Sequence, residues 1–450
     1  MKGTVDFVEY LVLFQKPVSS KTVRDFFHCN NTYRYYFVNR VMRVAIFQMS
    51  APWGSAQVLR VVSLAWLCLL LPLWAVADPA PGIAQEGLVS LTQWPMYRGQ
   101  PSLSGVSPVK FQGALSEAWV FKAEMGIKSS AAISQGKVFI GCDDGKLHAL
   151  DLQTGKSLWQ FETDGAIESS PLVLGGDVFF GSGDGALYRV RGDNGRLVWK
   201  YQTDDQILGS PNWLDDPAGK DPRIIVGSYD FRLHCVSFSE GQALWTYETD
   251  NYINGTPAIA KGKTVFGGCD ALLHVINLED GKKVSEIEAG AYIAGSAAML
   301  DDMVYVGHYE SEVLCFDLNK SQQVWRYRNR SFPYYSSPAI AGDDVLIGGR
   351  DRQVHCLNRF TGEKRWVFST RGKVDSSPVV LGGEDVVFGS EDGRLYRVSL
   401  AEGKEIQVID VGQPLTGSPA VVQGWLVIGD EDGHVYGFKD IVKKPSVQQP

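Results

Sequence analysis

Residues 169–203 read SSPLVLGGDVFFGSGDGALYRVRGDNGRLVWKYQT. Ser170-Pro171 opens the short apolar run Leu172-Val173-Leu174, and Gly175-Gly176-Asp177 turns the chain. Val178-Phe179-Phe180-Gly181-Ser182 makes a second run, which Gly183-Asp184-Gly185 ends in a tight hairpin, because Asp-Gly accepts the positive φ such turns require. Residues 186–190 and 197–201 supply a third and a fourth run, separated by Asp193-Asn194-Gly195. Four short strands joined by hairpins form one antiparallel blade. Pro171 stands at the start of the innermost strand, where a missing N–H costs least.

The unit returns along the chain. Its opening phrase, a small hydroxyl residue followed by Pro or Ala, recurs as Ser130-Ala131, Ser170-Pro171, Ser210-Pro211, Thr256-Pro257, Ser296-Ala297, Ser337-Pro338, Ser377-Pro378 and Ser418-Pro419. The steps between them are 40, 40, 46, 40, 41, 40 and 41 residues. A period near forty built from short apolar runs and turns predicts an all-β, eight-bladed β-propeller of four-stranded antiparallel blades. The last repeat stops one strand short, and Leu115-Ser116-Glu117-Ala118-Trp119-Val120-Phe121-Lys122 matches a fourth strand with no blade of its own. The N-terminal strand is therefore expected to complete the last blade and leave no sheet edge open.

The chain has 450 residues, 44% hydrophobic and 21% charged, an ordinary globular composition. Its formal charge is −8, and the part after residue 77 is the acidic part. That argues against nucleic acid as a partner, which would need clustered Lys and Arg. Before Asp78, the uncharged run 61–74 follows Arg60 and precedes Ala75-Val76-Ala77, the order of a secretory signal peptide with its cleavage site. With Met42 and Met49 as candidate starts, residues 1–48 read as an upstream extension and 49–77 as the signal peptide. The alternative is an uncleaved anchor over residues 58–76, marginally long enough to span and the chain's single means of membrane contact. Leu67 precedes Cys68 where a lipoprotein signal takes Gly, Ala or Ser, which argues against lipidation. Residues 78–113 form a lead-in segment, 114–440 the propeller and 441–450 a disordered tail. The expected location is the periplasm or the secreted space.

The residues that repeat are explained by the blade. Trp119, Trp159, Trp199, Trp245, Trp325 and Trp366 share a fourth-strand register, with Ser285 and Gln407 in the other two blades. A Trp at each seam would dock one blade on the next, burying its ring and giving its indole N–H to a neighbouring carbonyl. His148, His234, His274 and His355 share a register with Tyr188, Tyr396 and Tyr436, which suits a half-buried ring with a polar tip. Spread over four blades, the histidines imply no metal. Of the five cysteines in the body, Cys142 and Cys269 are read at a position where other repeats carry Ser182, Ser228 and Ser390. No adjacent pair and no C-x-x-C occurs, so no disulfide framework or zinc site is expected. The Asp-Gly pairs at 144, 184, 392 and 432 fit hairpins and no calcium loop.

The residues that do not repeat stand two before each hydroxyl of the phrase: Lys128, Glu168, Leu208, Asn254, Ala294, Tyr335, Asp375 and Thr416. They should line one mouth of the central channel, either as a solvated rim or as a ligand- or partner-binding site. Lys128, Glu168, Asn254, Tyr335, Asp375 and Thr416 are the candidates for binding; no catalytic residue is assigned.

Ala149-Leu150-Asp151-Leu152-Gln153-Thr154-Gly155-Lys156-Ser157-Leu158-Trp159 resembles the tryptophan-docking motif of pyrroloquinoline-quinone (PQQ)-type propellers. The motif returns, degraded, at 356–366 and 315–325, and Trp94-Pro95-Met96-Tyr97-Arg98-Gly99 resembles the opening segment of quinone-repeat proteins. The resemblance covers roughly residues 94–440. One branch of that family is the quinoprotein dehydrogenases, which oxidise alcohols or sugars with PQQ, usually helped by calcium. The alcohol-oxidising members typically carry a vicinal disulfide, for which this chain has no adjacent cysteines. The other branch, the BamB-like proteins of outer-membrane assembly, has eight such blades and no quinone. The resemblance therefore implies a non-catalytic, monomeric scaffold of the cell envelope with no cofactor, holding a protein or a small-molecule or sugar ligand. A PQQ- and calcium-dependent alcohol or sugar dehydrogenase and a secreted polysaccharide-binding propeller are the alternatives.

Overall fold

In a computed structural model of the chain, residues 90–216, 219 and 221–442 are described. The expected upstream extension and signal peptide, and the tail beyond Val442, lie outside these residues. Among the described residues every regular element is a strand. Seven blades form from consecutive strands, spanning residues 132–162, 172–202, 212–248, 258–288, 298–327, 339–369 and 379–410, here numbered 1 to 7. Blade 8 takes its three inner strands from residues 420–441 and its outer strand from Ala114–Lys122. That strand pairs antiparallel with His434–Ile441, from Ala114↔Ile441 to Lys122↔His434.

Apolar residues fill both faces of the second and third strands, as Val178, Phe179 and Phe180 do in blade 2, because each blade is sandwiched between two neighbours. Fourth strands alternate exposed with half-buried positions, since they rim the molecule. Each carries a β-bulge beside the Trp register, which aims that side chain at the next blade.

The repeated phrase has one structural meaning. Each blade's Ser or Thr hydroxyl accepts the backbone N–H of the same residue in the blade before it. Ser130 N–H donates to Ser170, Ser170 to Ser210, Ser210 to Thr256, Thr256 to Ser296, Ser296 to Ser337, Ser337 to Ser377, Ser377 to Ser418, and Ser418 back to Ser130. All eight bonds are 2.8–3.1 Å and buried. A buried N–H needs an acceptor, and the neighbouring hydroxyl is that acceptor. The residue after it makes no part of the circuit, so Pro and Ala alternate there freely.

Tryptophans seal the seams further out. The Trp119 indole N–H donates to Leu152 O at 2.9 Å, and Trp366 to Leu400 O at 2.8 Å, each in the following blade. The ring lies flat on a glycine of that blade: a Cβ on Gly155 would meet Trp119 at 2.5 Å, and one on Gly403 would meet Trp366 at 2.5 Å. The Thr-Gly of the motif is thus the receiving half of the dock. Where Trp gives way to Ser285, Ser321 replaces the facing glycine. Gln407 instead grips the added N-terminal strand, bonding both the N–H and the C=O of Leu115.

The lead-in segment runs inside the ring. Trp94 pairs with Ile133 of blade 1. The carbonyls of Pro95, Pro101, Ser102, Ser104 and Gly105 then accept the N–H groups of Val173, Ile259, Met299, Ile340 and Val380, in blades 2, 4, 5, 6 and 7. Val106–Ser107 adds a parallel strand to blade 7. Trp94, Met96 and Arg98 are buried, and the Tyr97 hydroxyl reaches Ser337 and Ser377 of the hydroxyl ring at 3.0 Å each. Burial lowers the Arg98 guanidinium to about 10.

Candidate functional site

Along the inner strands of blades 1, 2, 4, 5, 6 and 7 the order is loop residue, ring hydroxyl, then the backbone contacts of the lead-in segment. The segment therefore occupies one side of the hydroxyl ring, and the mouth on the other side is built from the loops between blades and the hairpins between second and third strands. The six candidate binding residues stand at this second mouth.

They do not converge. Lys128 bonds Glu168 at 2.7 Å and lies 3.4 Å from Asp143, over blades 1 and 2. Burial alone would lower the Lys128 ammonium, but Glu168 and Asp143 raise it above its ordinary value. Burial and the nearby Glu168 raise the Asp143 carboxyl. Across the mouth, Arg350 clamps Asp375 at 2.6 and 3.1 Å while its guanidinium lies 3.7 Å from the ring centre of Tyr335. Asn254 donates to Cys269 Sγ at 3.0 Å, and its Oδ1 is buried and unbonded. The Thr416 hydroxyl is likewise buried without a partner.

Two further sets of loop positions frame this mouth, and the sequence reading missed them. The hairpin residue after each second strand is Asp143, Gly183, Tyr229, Cys269, Tyr309, Arg350, Glu391 or Glu431. Its N–H bonds the loop residue four before the hydroxyl of the phrase: Gly126, Ala166, Gln206, Tyr252, Tyr292, Pro333, Lys373 or Pro414. Cys269 thus stands in the register of Tyr229, one residue beyond that of Cys142, which Gly268 holds. Together these positions make an aromatic arc over blades 3 to 6. Tyr252 stacks on Tyr229 at 4.6 Å and meets Phe231 at 5.0 Å. Tyr309 lies 6.3 Å from Tyr292 and 6.2 Å from Tyr335, which passes to Arg350 and Asp375. Tyr292 and Tyr309 are 55% and 50% exposed. The signal was present as a departure from the turn residues of the other repeats.

The same four blades hold a strained turn. Gly145, Gly185, Gly393 and Gly433 have positive φ, but their equivalents in blades 3 to 6 are Phe231, Ala271, Ser311 and Arg352, at φ 69, 64, 73 and 66°. Each costs about 1 kcal/mol relative to glycine. Strain of this kind concentrates where loops are shaped for use.

Elsewhere, a cleft of about 520 Å³ opens at the edge of blade 2 between Gly175-Gly176 and Asn194. Its buried Asp177 is held by Arg189 at 2.6 Å and Arg191 at 3.2 Å, a structural ion pair away from the mouth. Among the described residues, one group of three His, Cys, Asp or Glu side chains brings its ligand atoms within 4.8 Å: Cys142, Asp144 and His148. A calcium-assisted quinone would call on Glu168, Asn254 and Asp375, yet each is committed to a different partner, Lys128, Cys269 and Arg350. As disposed, those donors do not fit that cofactor. The recurring histidines are buried rather than half-buried as expected, because the flanking blades cover both ring faces.

The model of the family described as outer membrane protein assembly factor BamB matches residues 112–213, 208–328, 278–366 and 310–440. Among solved structures, BamB from Moraxella catarrhalis superposes with a TM-score of 0.61 at 18% identity, over 72% of this chain and 100% of that one. A europium-containing methanol dehydrogenase gives 0.66 at 12% identity, over 78% and 98%. The quinohemoprotein alcohol dehydrogenase from Comamonas testosteroni gives 0.64 at 12% identity, over 80% and 82%. These structures share the propeller fold. No curated protein sequence matches the chain significantly.

Proposed function

The chain belongs to the family of the outer membrane protein assembly factor BamB, and on that footing we propose that it is a non-catalytic scaffold of the bacterial envelope that holds a protein partner on the loop mouth over blades 3 to 7. The observation that carries this reading is two aromatic groups side by side on these blades, exposed Tyr252 with Tyr229, and exposed Tyr292 with exposed Tyr309, the second running through Tyr335 into Arg350. Tyr and Arg dominate the energetics of protein interfaces, because they bury large rigid areas and keep a polar handle. The signal-peptide reading of residues 49–77 agrees with an envelope location.

The quinoprotein reading has one point in its favour, the dehydrogenases among the structural neighbours. Against it stand the separate commitments of Glu168, Asn254 and Asp375 and the absence of adjacent cysteines.

A photo-crosslinking side chain at position 292 or 309, and a control at 193 on the blade 2 turn, would be tested in the envelope of the producing cell. A discrete protein adduct from 292 and 309 but not from 193 is expected. Equal labelling from all three positions overturns the mouth as the binding face. Stoichiometric binding of PQQ with calcium by the purified protein, with alcohol- or aldose-dependent dye reduction, overturns the scaffold reading.

A further inference from the structure

His148 is 4% exposed, and neither of its ring nitrogens has a bond. Its equivalents are satisfied at both. In His234, His274 and His355, Nε2 meets the carboxylate four residues earlier, Asp230, Asp270 or Asp351, at 3.1, 2.8 and 3.2 Å. Nδ1 of each faces a tyrosine hydroxyl, Tyr201, Tyr247 or Tyr327, at 3.0–3.2 Å. That tyrosine comes from the outer strand of the preceding blade, two residues past the Trp register. Where the register holds tyrosine instead, the preceding blade offers an apolar residue without a hydroxyl, Ile409 before Tyr436 and phenylalanine before the other two. Phe161 packs on Tyr188 and Phe368 on Tyr396, and the tyrosine hydroxyls turn to Asp184 and Asp392. Histidine goes with tyrosine, and tyrosine with a side chain that has no hydroxyl.

Blade 1 breaks this rule. Phe121 supplies a ring 5.2 Å from His148 and no hydroxyl. The Asp144 Oδ2 atom stands 3.8 Å from His148 Nε2, beyond hydrogen-bond reach, and is itself buried and unbonded. Cys142 replaces the serine that blades 2, 3 and 7 carry at its position, and its Sγ closes the group.

We propose that Cys142, Asp144 and His148 bind a borderline-soft divalent metal ion, zinc before others. Zinc bonds of about 2.3 Å to sulfur and about 2.0–2.2 Å to nitrogen and oxygen set tetrahedral ligands roughly 3.3–3.7 Å apart. The 3.8 Å between Nε2 and Oδ2 is slightly wider than that separation, so a small side-chain closure would let the two share an ion, where the other blades show a closed hydrogen bond. Thiolate, imidazole and carboxylate form a zinc donor set; calcium and magnesium take oxygen alone. Burial pushes the Cys142 thiol up to about 12, and its S–H donates to Met125 O, 3.3 Å away. Binding forms the metal–sulfur bond and releases the thiol proton to solvent, so thiolate and carboxylate together balance the two charges of the ion. Lys146 lies 3.8 Å from Asp144 Oδ2, but its charge is held by Glu124 at 2.9 Å. The fourth coordination position is left to water.

The full chain, stripped with a chelator, would be titrated with cobalt chloride and then zinc chloride. A near-ultraviolet thiolate-to-cobalt band that saturates at about one equivalent and is bleached by zinc is expected. Cys142→Ser and His148→Tyr install what blade 2 already carries, Ser182 and Tyr188, so both should fold. Each should abolish the band and weaken zinc binding at least about a hundredfold. No band in the wild-type protein overturns the proposal whatever the variants do, and so does zinc binding that persists unchanged in both variants.

Discussion

The backbone N–H of Ser418 donates to the hydroxyl of Ser130 at 2.9 Å, joining residues 288 apart in sequence and closing the ring of eight such bonds. Ser130→Ala would leave that buried N–H without an acceptor, at a cost of about 1–3 kcal/mol. Ser130→Thr keeps the acceptor, as Thr256 does in blade 4, and should stay near wild type. Urea unfolding of the two variants measures the difference; equal midpoints would remove the ring from the stability of the fold.

Trp366 and Gly403 are two halves of one contact, and their substitutions should not add. Trp366→Ala is expected to cost about 3–5 kcal/mol through the cavity it leaves. Gly403→Ala drives a methyl into the indole in the wild-type background but meets an empty space once the ring is gone. A double-mutant cycle should give a coupling above roughly 0.5 kcal/mol; additivity would contradict the dock.

Deleting residues 114–122 removes the outer strand of blade 8 and exposes the edge of His434–Ile441. The truncated chain should unfold or associate through that edge. Size-exclusion chromatography with a thermal melt decides the matter, and a monomer melting like the full chain would refute it.

Acid should act through the His–Asp pairs. Burial by itself would raise the carboxyls of Asp230 and Asp270, but the bonds from His234 and His274 Nε2 outweigh it and hold both below the ordinary value. A carboxyl depressed in the folded state contributes stability that is full above the unfolded pKa of about 3.9 and lost as pH falls through the folded one. Stability should thus be flat with pH from this source near neutrality and decline below about pH 4. Asp230→Asn with Asp270→Asn should be less stable at neutral pH and flatten that acid decline. An unchanged acid slope in urea titrations would count against the pairs.

Ala271 holds φ 64° where four other blades place glycine. Ala271→Gly should raise stability by about 0.5–1 kcal/mol, the strain relieved less the extra chain entropy of glycine. Thermal unfolding would report it, and destabilisation would show that the alanine methyl does more than tolerate the turn.

The blade, its copy number and the seam tryptophans were legible in the sequence, because each rests on local chemistry that recurs along the chain: turn residues, apolar runs, and one indole in six of the eight fourth strands. The small hydroxyl of the phrase was legible as a pattern and not as a reason, since its partner is always the next blade. The mouth residues were found by their failure to repeat, but Lys128 with Glu168 and Arg350 with Asp375 turned out to be separate ion pairs, and no spacing in the chain could say so. Histidines compared across blades hid Cys142, Asp144 and His148 within one.

By itself the sequence determined the architecture, since a period of about forty residues with hairpin turns leaves a ring of blades as the arrangement that buries every apolar run. Which mouth is open, and what faces what across it, was decided by tertiary structure alone. Trp94 to Ser107 carries no blade pattern of its own until the ring exists for it to enter, and Tyr97 finds Ser337 and Ser377 only when blades 6 and 7 stand side by side. Contacts between residues hundreds of positions apart carry no local signature; closure of the ring creates them.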